Sequence, residues 1–180
     1  GCAFPIKKGS ESERYIIVGE APNPGLPAIA LWRSSDEFQT FEKVNSTYLP
    51  VSNTMKQPEI VIEASTPVVE LSTGDFLHLY SAGTPGWIAN GNYTAGWVVI
   101  DKDDPNNIIQ RSEEHLLVAS LPFEGVEPLH GYPVQRYRTT FVTSIVPTGN
   151  VDEFRLYWGA ADANVAAGVL KVVSSKIIEK

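Results

Sequence analysis

The sequence predicts an all-β protein built from antiparallel β-propeller blades. The main observation is a strand-turn-strand pattern that occurs three times, each copy pairing an aromatic-containing strand with a second apolar strand. The copies begin at Tyr15, Phe76 and Phe154, roughly 60 to 80 residues apart, a spacing typical of radially repeated sheets. No segment has a clear helical period except the alanine-rich stretch 160–167, which also fits a turn followed by a strand of small residues. We therefore expect about three blades, too few to close a ring.

The first blade is predicted from apolar runs separated by clusters of glycine, proline, asparagine and serine. These residues supply the turn conformations that end a strand and interrupt its hydrogen-bonded ladder. Residues 50–58 are expected to form a loop that leads to the next blade. The strands expected in this blade are 3–7, 15–21, 29–34 and an outer strand at 41–49.

The second blade is predicted around a tight hairpin turn at Gly74 and Asp75. This step lies between two apolar runs, and glycine adopts the positive φ of a tight turn without a steric penalty. The strands expected in this blade are 67–71, 76–81, 95–101 and 108–118.

The third blade follows a long crossing segment at 121–138, which contains proline and glycine without clear periodicity. Loops of this length are often functional. The expected strands are 139–147, 153–160, 165–173 and 175–179. The chain is thus expected to be a single partial propeller domain over 1–180, with approximate blades 1–58, 59–120 and 121–180.

Composition excludes several classes of function. A chain of 180 residues that is 43% hydrophobic can bury a core, so a disordered protein is not expected. The formal charge of −7, with no run of Lys or Arg, argues against a nucleic-acid partner or an anionic membrane surface. The apolar runs are also too short for a membrane span.

Three positions bear on the compartment of the protein. Cys2 is the only cysteine, so no internal disulfide and no cysteine-based metal site is expected. It lies next to the first residue, as a lipid-bearing cysteine would, although chance explains this equally well. Asn45 and Asn92 begin sequons for N-glycosylation. These features favour an extracellular or cell-surface location.

Several segments resemble a known family of carbohydrate-active enzymes. The segment 154–162 contains Tyr157, Trp158 and Asp162 and precedes a small-residue strand at 165–169. With the further segments given below, it resembles the five-bladed β-propeller glycosidases and phosphorylases of glycoside hydrolase family 130, which are related to family 43-like propellers. The resemblance is to their C-terminal three blades, so it implies an incomplete five-bladed propeller or half of an assembled ring. The further segments are 31–36, 63–67, 96–101, 104–105, 109–112 and 121–124.

The resemblance implies that carboxylates face a sugar. Glycoside cleavage needs one group to protonate the leaving oxygen and another to activate water or attack directly. By resemblance, Glu63 takes the position of a general acid, Glu124 that of an active-site glutamate and Asp162 that of a pocket aspartate. The alternatives are a solvated loop carboxylate for Glu63, a surface acid for Glu124 and a turn-capping side chain for Asp162.

Aromatic side chains provide the second part of the predicted sugar site, because pyranose C–H faces pack on aromatic rings. Trp87 and Trp158 are the main candidates for substrate binding, and Tyr80 is a third. For Tyr80, as for the other strand aromatics Trp97 and Tyr157, packing between blades is the alternative interpretation.

No metal site and no cofactor is expected. The three histidines, His78, His115 and His130, share no ligand-like spacing and no neighbouring cysteine. We expect His78 to be a strand residue with one of its ring nitrogens hydrogen-bonded.

The chain also departs from the family pattern. Residues 80–82 read Tyr-Ser-Ala where the mannoside phosphorylases carry a Tyr-His-Gly sequence whose histidine helps to hold phosphate. Phosphorolysis is therefore less expected than hydrolysis. The first two blades of the five, which carry a catalytic aspartate in the family, have no counterpart in the sequence.

Three functional hypotheses follow. The first is a mannosidase-like glycoside hydrolase that binds an oligosaccharide or glycoside and shares its site with further blades. The second is a non-catalytic carbohydrate-binding or structural relative that forms a homo-oligomer because blades are missing. The third is an unrelated β-sandwich with coincidental repeats.

Overall fold

The computed structural model describes residues 1–5, 13–20, 28–85, 92–126, 138–173 and 176–179. These residues form three antiparallel sheets, and the only helical element among them is a single-turn 3-10 helix at Pro122–Glu124. The predicted all-β fold is confirmed. No helix among these residues is long and apolar enough to cross a membrane.

The first sheet contains four strands in the order in which they follow along the chain. The predicted hairpin 15–21 with 29–34 is present, and the predicted outer strand is present within one residue at either end. The strand predicted at 3–7 ends at residue 3, and residues 6–7 lie outside the described part. The strands are β1 (Cys2–Ala3), β2 (Arg14–Glu20), β3 (Ala28–Ser34) and β4 (Glu42–Pro50).

The second sheet contains five strands, and its inner edge differs from the prediction. Two short strands, at 61–64 and 69–70, both pair with the same long strand, whereas one strand at 67–71 was expected. Residues 65–68 leave the ladder between them, and the Thr66 hydroxyl bonds the Leu79 backbone instead. The strands are β5 (Val61–Ala64), β6 (Val69–Glu70), β7 (Phe76–Gly83), β8 (Tyr93–Ile100) and β9 (Ile108–Arg111).

The outer edge of this sheet also corrects the prediction of a strand at 108–118. Regular pairing with β8 ends at Arg111. Ser112 still donates its N–H to the Trp97 carbonyl, but residues 113–115 leave the sheet before Leu117 bridges Ala95. The hairpin turn before β7 is as predicted: Gly74 has φ of +86°, and its N–H donates to the Leu71 carbonyl.

The third sheet again has its four strands in chain order. Side chains alternate clearly along the central strand, where Phe154, Leu156, Trp158 and Ala160 are buried and the residues between them are exposed or partly exposed. A bulge interrupts the pairing between Val142 and Ser144. The strands are β10 (Thr140–Pro147), β11 (Glu153–Ala160), β12 (Asn164–Val173) and β13 (Lys176–Glu179).

Two apolar cores join the three sheets side by side. One core lies between the first two sheets, where Leu31 and Ile17 pack with Tyr80. The other lies between the second and third sheets, where Leu79 packs with Leu156. The middle sheet is therefore covered on both faces, and all eight residues of β7 are buried. This side-by-side packing is the arrangement of neighbouring propeller blades.

The alternating strand directions collect one set of loops at each end of the molecule. At one end lie the described parts of the two crossings between sheets, 51–60, 112–126 and 138–139, with the end of β7, the start of β8 and the β11–β12 turn. We call this the crossing end. A parallel bridge between Tyr93 and Thr139 joins the starts of β8 and β10 there. The opposite end carries the turns 35–41, 71–75, 101–107 and 148–152.

Candidate active site

Glu63 lies on the innermost strand of the middle sheet, near the crossing end. The sequence predicted the first strand of this blade at 67–71, just after Glu63, but Glu63 is the third residue of β5 and pairs with Ser81 of β7. Its partly buried carboxylate accepts a hydrogen bond from the Tyr93 hydroxyl, with 3.0 Å between Oη and Oε1. Among the described strands β5 pairs with β7 alone, so its other edge faces the region that a propeller axis would occupy.

Two polar side chains, Ser81 and Tyr93, lie on the same sheet face as this carboxylate. Ser81 lies directly opposite Glu63, and side chains at opposed positions share a face of the sheet. The buried Ser81 hydroxyl has no hydrogen-bond partner among the described residues. The Tyr93 ring packs against Phe141 of the third sheet, with 5.5 Å between centroids. Glu63 therefore points toward the junction of the second and third blades.

Glu124 ends the 3-10 helix in the second crossing and is only 3% exposed. Its Oε2 accepts hydrogen bonds from the backbone N–H groups of Ser120 and Leu121, each at 2.8 Å. Its Oε1 accepts a third from the Trp158 indole at 3.0 Å. A buried carboxylate needs such donors to replace lost hydration. These bonds connect the second crossing to Trp158 of β11 and keep the carboxylate inside the protein.

Asp162 lies in the tight turn that connects β11 with β12. Ala161 and Asp162 have φ of 53° and 52°, and the N–H of Ala163 donates to the Ala160 carbonyl. Two successive left-handed residues define a type I′ turn, in which aspartate is a favoured residue. The side chain is exposed at the crossing end.

Backbone bonds around Thr139 bring the three candidate acids to the same end of the molecule. Its N–H donates to the Glu124 carbonyl, and its own carbonyl accepts from Ala161. The adjacent Arg138 carbonyl accepts from the N–H of Tyr93, whose hydroxyl reaches Glu63. The chain segments that carry the three acids therefore converge. The Glu124 carboxylate, however, bonds Ser120, Leu121 and Trp158 and has no described bond to Glu63 or Asp162.

The aromatic candidates differ in exposure. Trp158 is largely buried, but its ring borders a shallow cleft with Leu121, Phe123 and Val165. Tyr80 is fully buried, and its hydroxyl contacts protein groups rather than an open cleft. Trp87 lies outside the described residues.

A buried ionic cluster around Tyr80 was missed by the sequence analysis. The Tyr80 hydroxyl donates to Glu59 at 2.7 Å and accepts from Nε of Arg111 at 3.2 Å. Arg111 also pairs with Glu59 at 2.5 Å and donates to the Pro50 carbonyl at 2.7 Å. Burial and the Glu59 charge raise the pKa of Tyr80. The cluster fastens the end of the first blade to the second, and the only sequence signal was Tyr80 itself.

The histidines correct one expectation. His78 is fully buried on β7, and its contact with the Thr66 backbone falls short of the well-formed ring hydrogen bond that was expected. Burial lowers its pKa to about 4, with the Thr66 backbone acting in the opposite direction. Burial also lowers the pKa of His115, whose ring bonds the Thr94 hydroxyl. Within the described part of the chain, no group of three His, Cys, Asp or Glu residues is placed to hold a metal ion.

Comparison with known proteins places this fold among carbohydrate-active enzymes. The chain is 25% identical over 142 residues to a 1,2-β-oligomannan phosphorylase from Thermoanaerobacter sp. (strain X514), covering 79% of the chain and 43% of that protein. No protein-family model matches the sequence. The chain therefore spans less than half the length of this curated relative.

Solved structures show the same architecture. A β-1,2-mannobiose phosphorylase from Listeria innocua, solved with β-1,2-mannobiose, superposes with a TM-score of 0.66 at 16% identity, covering 99% of this chain and 43% of its own. A structure from a study of family 130 hydrolases that target β-1,2-mannosidic linkages has a TM-score of 0.66 at 21% identity, covering 92% and 44%. The predicted resemblance to a family 130 propeller is confirmed, and the three sheets correspond to a partial propeller.

Proposed function

We propose that this protein is a mannoside-active propeller in which Glu63 is the catalytic carboxylate supplied by this chain, and that the reaction is hydrolysis. The observation that carries the proposal is the position of Glu63 on the innermost strand of the middle blade, with one oxygen bonded to the Tyr93 hydroxyl. The similar proteins act on or bind β-1,2-linked mannosides, which is why we take these as the substrate class.

Glu63 is better placed for sugar chemistry than the other two candidates. The Glu124 oxygens already accept three N–H donors, and Asp162 lies at the tip of a turn. Glu63 accepts a single described side-chain hydrogen bond, from Tyr93 to its Oε1, so its other oxygen is available to a substrate hydroxyl. Tyr93 would hold the carboxylate in position, and the Ser81 hydroxyl lies on the same face.

A second acid is needed for either stereochemical outcome of glycoside cleavage. Asp162 is the described candidate, because its turn lies at the same end as Glu63 and its side chain is exposed. The other candidate source of the second acid is a segment equivalent to the part of the curated relative that lies outside the matched 43%.

The test is mannose release from β-1,2-mannobiose, with and without inorganic phosphate. We expect hydrolysis that does not depend on phosphate and that Glu63→Gln abolishes. Glu70→Gln is the matched control, because Glu70 is an exposed residue on β6 of the same blade edge. Release that requires phosphate would replace hydrolysis with phosphorolysis, and full activity in Glu63→Gln would exclude the proposed role.

The second candidate function is carbohydrate binding without catalysis. This alternative is favoured because the chain matches only 43% of the curated relative and because the Glu124 carboxylate bonds Trp158 inside the protein. Under this alternative, mannobiose binds to the chain and Glu63→Gln weakens binding, but no mannose is released.

A further inference from the structure

A second cleft at the crossing end is lined by cationic side chains, unlike the surroundings of Glu63. It has a volume of about 280 Å³ and lies between the two crossings and the end of β7 with the start of β8. Adjacent residues of a strand point to opposite faces, so Thr94, which lines the cleft, and Tyr93, which bonds Glu63, face opposite sides of β8. The cleft is therefore separated from the Glu63 carboxylate by the sheet. The residues that define it are Lys56, Thr84, Asn92, Thr94 and Arg138.

The two charged residues among the described lining of this cleft are both cations. Lys56 and Arg138 contribute the charges, and no described carboxylate is among the lining residues, in a protein with net charge −7. The one described ion pair of Lys56, with Glu114, is exposed on both sides and is therefore weak. Two cations without a lining carboxylate favour an anionic group in the cleft.

Arg138 is held in a strained conformation at the rim of this cleft. Its φ is +50°, in the left-handed region that arginine seldom adopts. The backbone fixes it there, because its N–H donates to Gly125 and its carbonyl accepts from Tyr93. Such strain persists where the surrounding structure imposes it, and it occurs frequently at ligand sites.

The Asn92 side chain favours a ligand that can donate a hydrogen bond. Its side-chain Oδ1 is buried and has no partner among the described residues. An unsatisfied buried acceptor has a cost that a ligand hydroxyl would remove. A simple anion supplies only acceptors, whereas a sugar supplies hydroxyl donors.

We propose that this cleft binds an acidic sugar residue, a uronate. Its carboxylate is bound by Lys56 and Arg138, and one of its hydroxyl groups donates to Oδ1 of Asn92. The site is separate from the mannoside site proposed above, and it would give the protein affinity for a glycan that carries carboxylate groups.

Calorimetric titration of the chain with glucuronate, acetate, glucose and inorganic phosphate tests this site. We expect glucuronate to bind, glucose to bind at least about tenfold more weakly, and Arg138→Gln to reduce glucuronate affinity about tenfold, the effect of losing one charge-assisted bond. Lys171→Gln, which removes an exposed cation of β12, is the matched control and should leave the affinity unchanged. Asn92→Ala should reduce the preference for glucuronate over acetate.

Four results would overturn the proposal, and the first three concern glucuronate and glucose. These are absence of glucuronate binding, equal binding of glucose, and an affinity that Arg138→Gln does not change. Phosphate that binds as tightly as glucuronate, with the same dependence on Arg138, would identify a general anion site and also reject the uronate. Glu63→Gln should leave glucuronate binding intact, so failure at one site is distinguishable from failure at the other.

Discussion

At the scale of single residues, the best-defined interaction is the buried pair of Glu59 and Arg111. The Glu59 side chain is fully buried and the Arg111 side chain is 20% exposed, and Tyr80 bonds both. Removing one charge of a buried pair leaves the other uncompensated, which is more costly than losing an exposed pair.

We therefore expect Glu59→Gln to lower the free energy of unfolding by about 3 kcal/mol. Glu42→Gln is the control, since Glu42 pairs with Arg33 at the exposed edge of the first sheet, and its effect should be much smaller. Urea unfolding of both variants measures the difference. Equal losses would show that the buried cluster is not a principal fastening between the blades.

His78 predicts a pH dependence of stability. Its pKa in the fold is about 4, below the ordinary value of 6.5, so the folded state prefers the neutral ring. The contribution is fully present above pH 6.5 and is lost as the pH falls toward 4, by at most about 3 kcal/mol.

In His78→Leu this titration is absent, so the variant should lose less stability than the original protein between pH 7 and pH 4. At pH 7 it should be at least as stable, because no described hydrogen bond of the ring is lost. Thermal unfolding across this pH range measures both effects. Parallel pH profiles for the two proteins would contradict the assignment.

The residue scale is also where sequence was least informative. Glu63, Glu124 and Asp162 were identified as candidates, but only coordinates distinguish a braced carboxylate such as Glu124 from one beside an open strand edge. Arg111 was expected within a long strand, and nothing in the sequence places Glu59 near it, because 52 residues separate the two.

At the scale of elements, the packing of β7 against β8 depends on a missing side chain at Gly96. A Cβ at this position would lie 2.4 Å from Cζ of Tyr80, which is held by Glu59 and Arg111 and has no room to move. Gly96→Ala should therefore destabilise the protein by about 3 kcal/mol through overpacking.

Gly159→Ala provides the comparison, because the nearest atom to its new Cβ is 3.8 Å away, an ordinary contact. We expect its unfolding midpoint to stay close to that of the original protein. Thermal unfolding of both variants measures the difference. If both glycines tolerated alanine equally, the close approach of Tyr80 to β8 would be wrong.

Most elements were predictable because their signals are local. The hairpins of β2–β3, β7–β8 and β11–β12 follow from apolar runs and turn residues. The split of the inner edge into β5 and β6 was not predictable, because it depends on Thr66 bonding the backbone of a neighbouring strand.

At the scale of the whole molecule, the third sheet leaves one face without a neighbour among the described residues. Val165 is 80% exposed, and Tyr157 lies beside it on the same face of the sheet. In the middle sheet both faces are covered by neighbouring blades. The uncovered face of the third sheet also carries the exposed Arg155 and Lys171, and its exposed apolar side chains favour association with a further blade.

We expect the chain alone to have twice its mass of 19.7 kDa in solution. The double variant Tyr157→Lys with Val165→Lys should be a monomer, because it places charges on the uncovered face. Light scattering measures both masses. A monomeric original chain would show that this face is covered by something other than a second copy.

The account as a whole depends on a carbohydrate binding at the crossing end beside Glu63. The most direct measurement is the set of backbone amide NMR shifts that change when β-1,2-mannobiose is added to the chain. We predict changes centred on Glu63, Ser81 and Tyr93, and their loss in Glu63→Gln. Changes centred on Arg14 and Lys102 at the opposite end, or none at all, would contradict it.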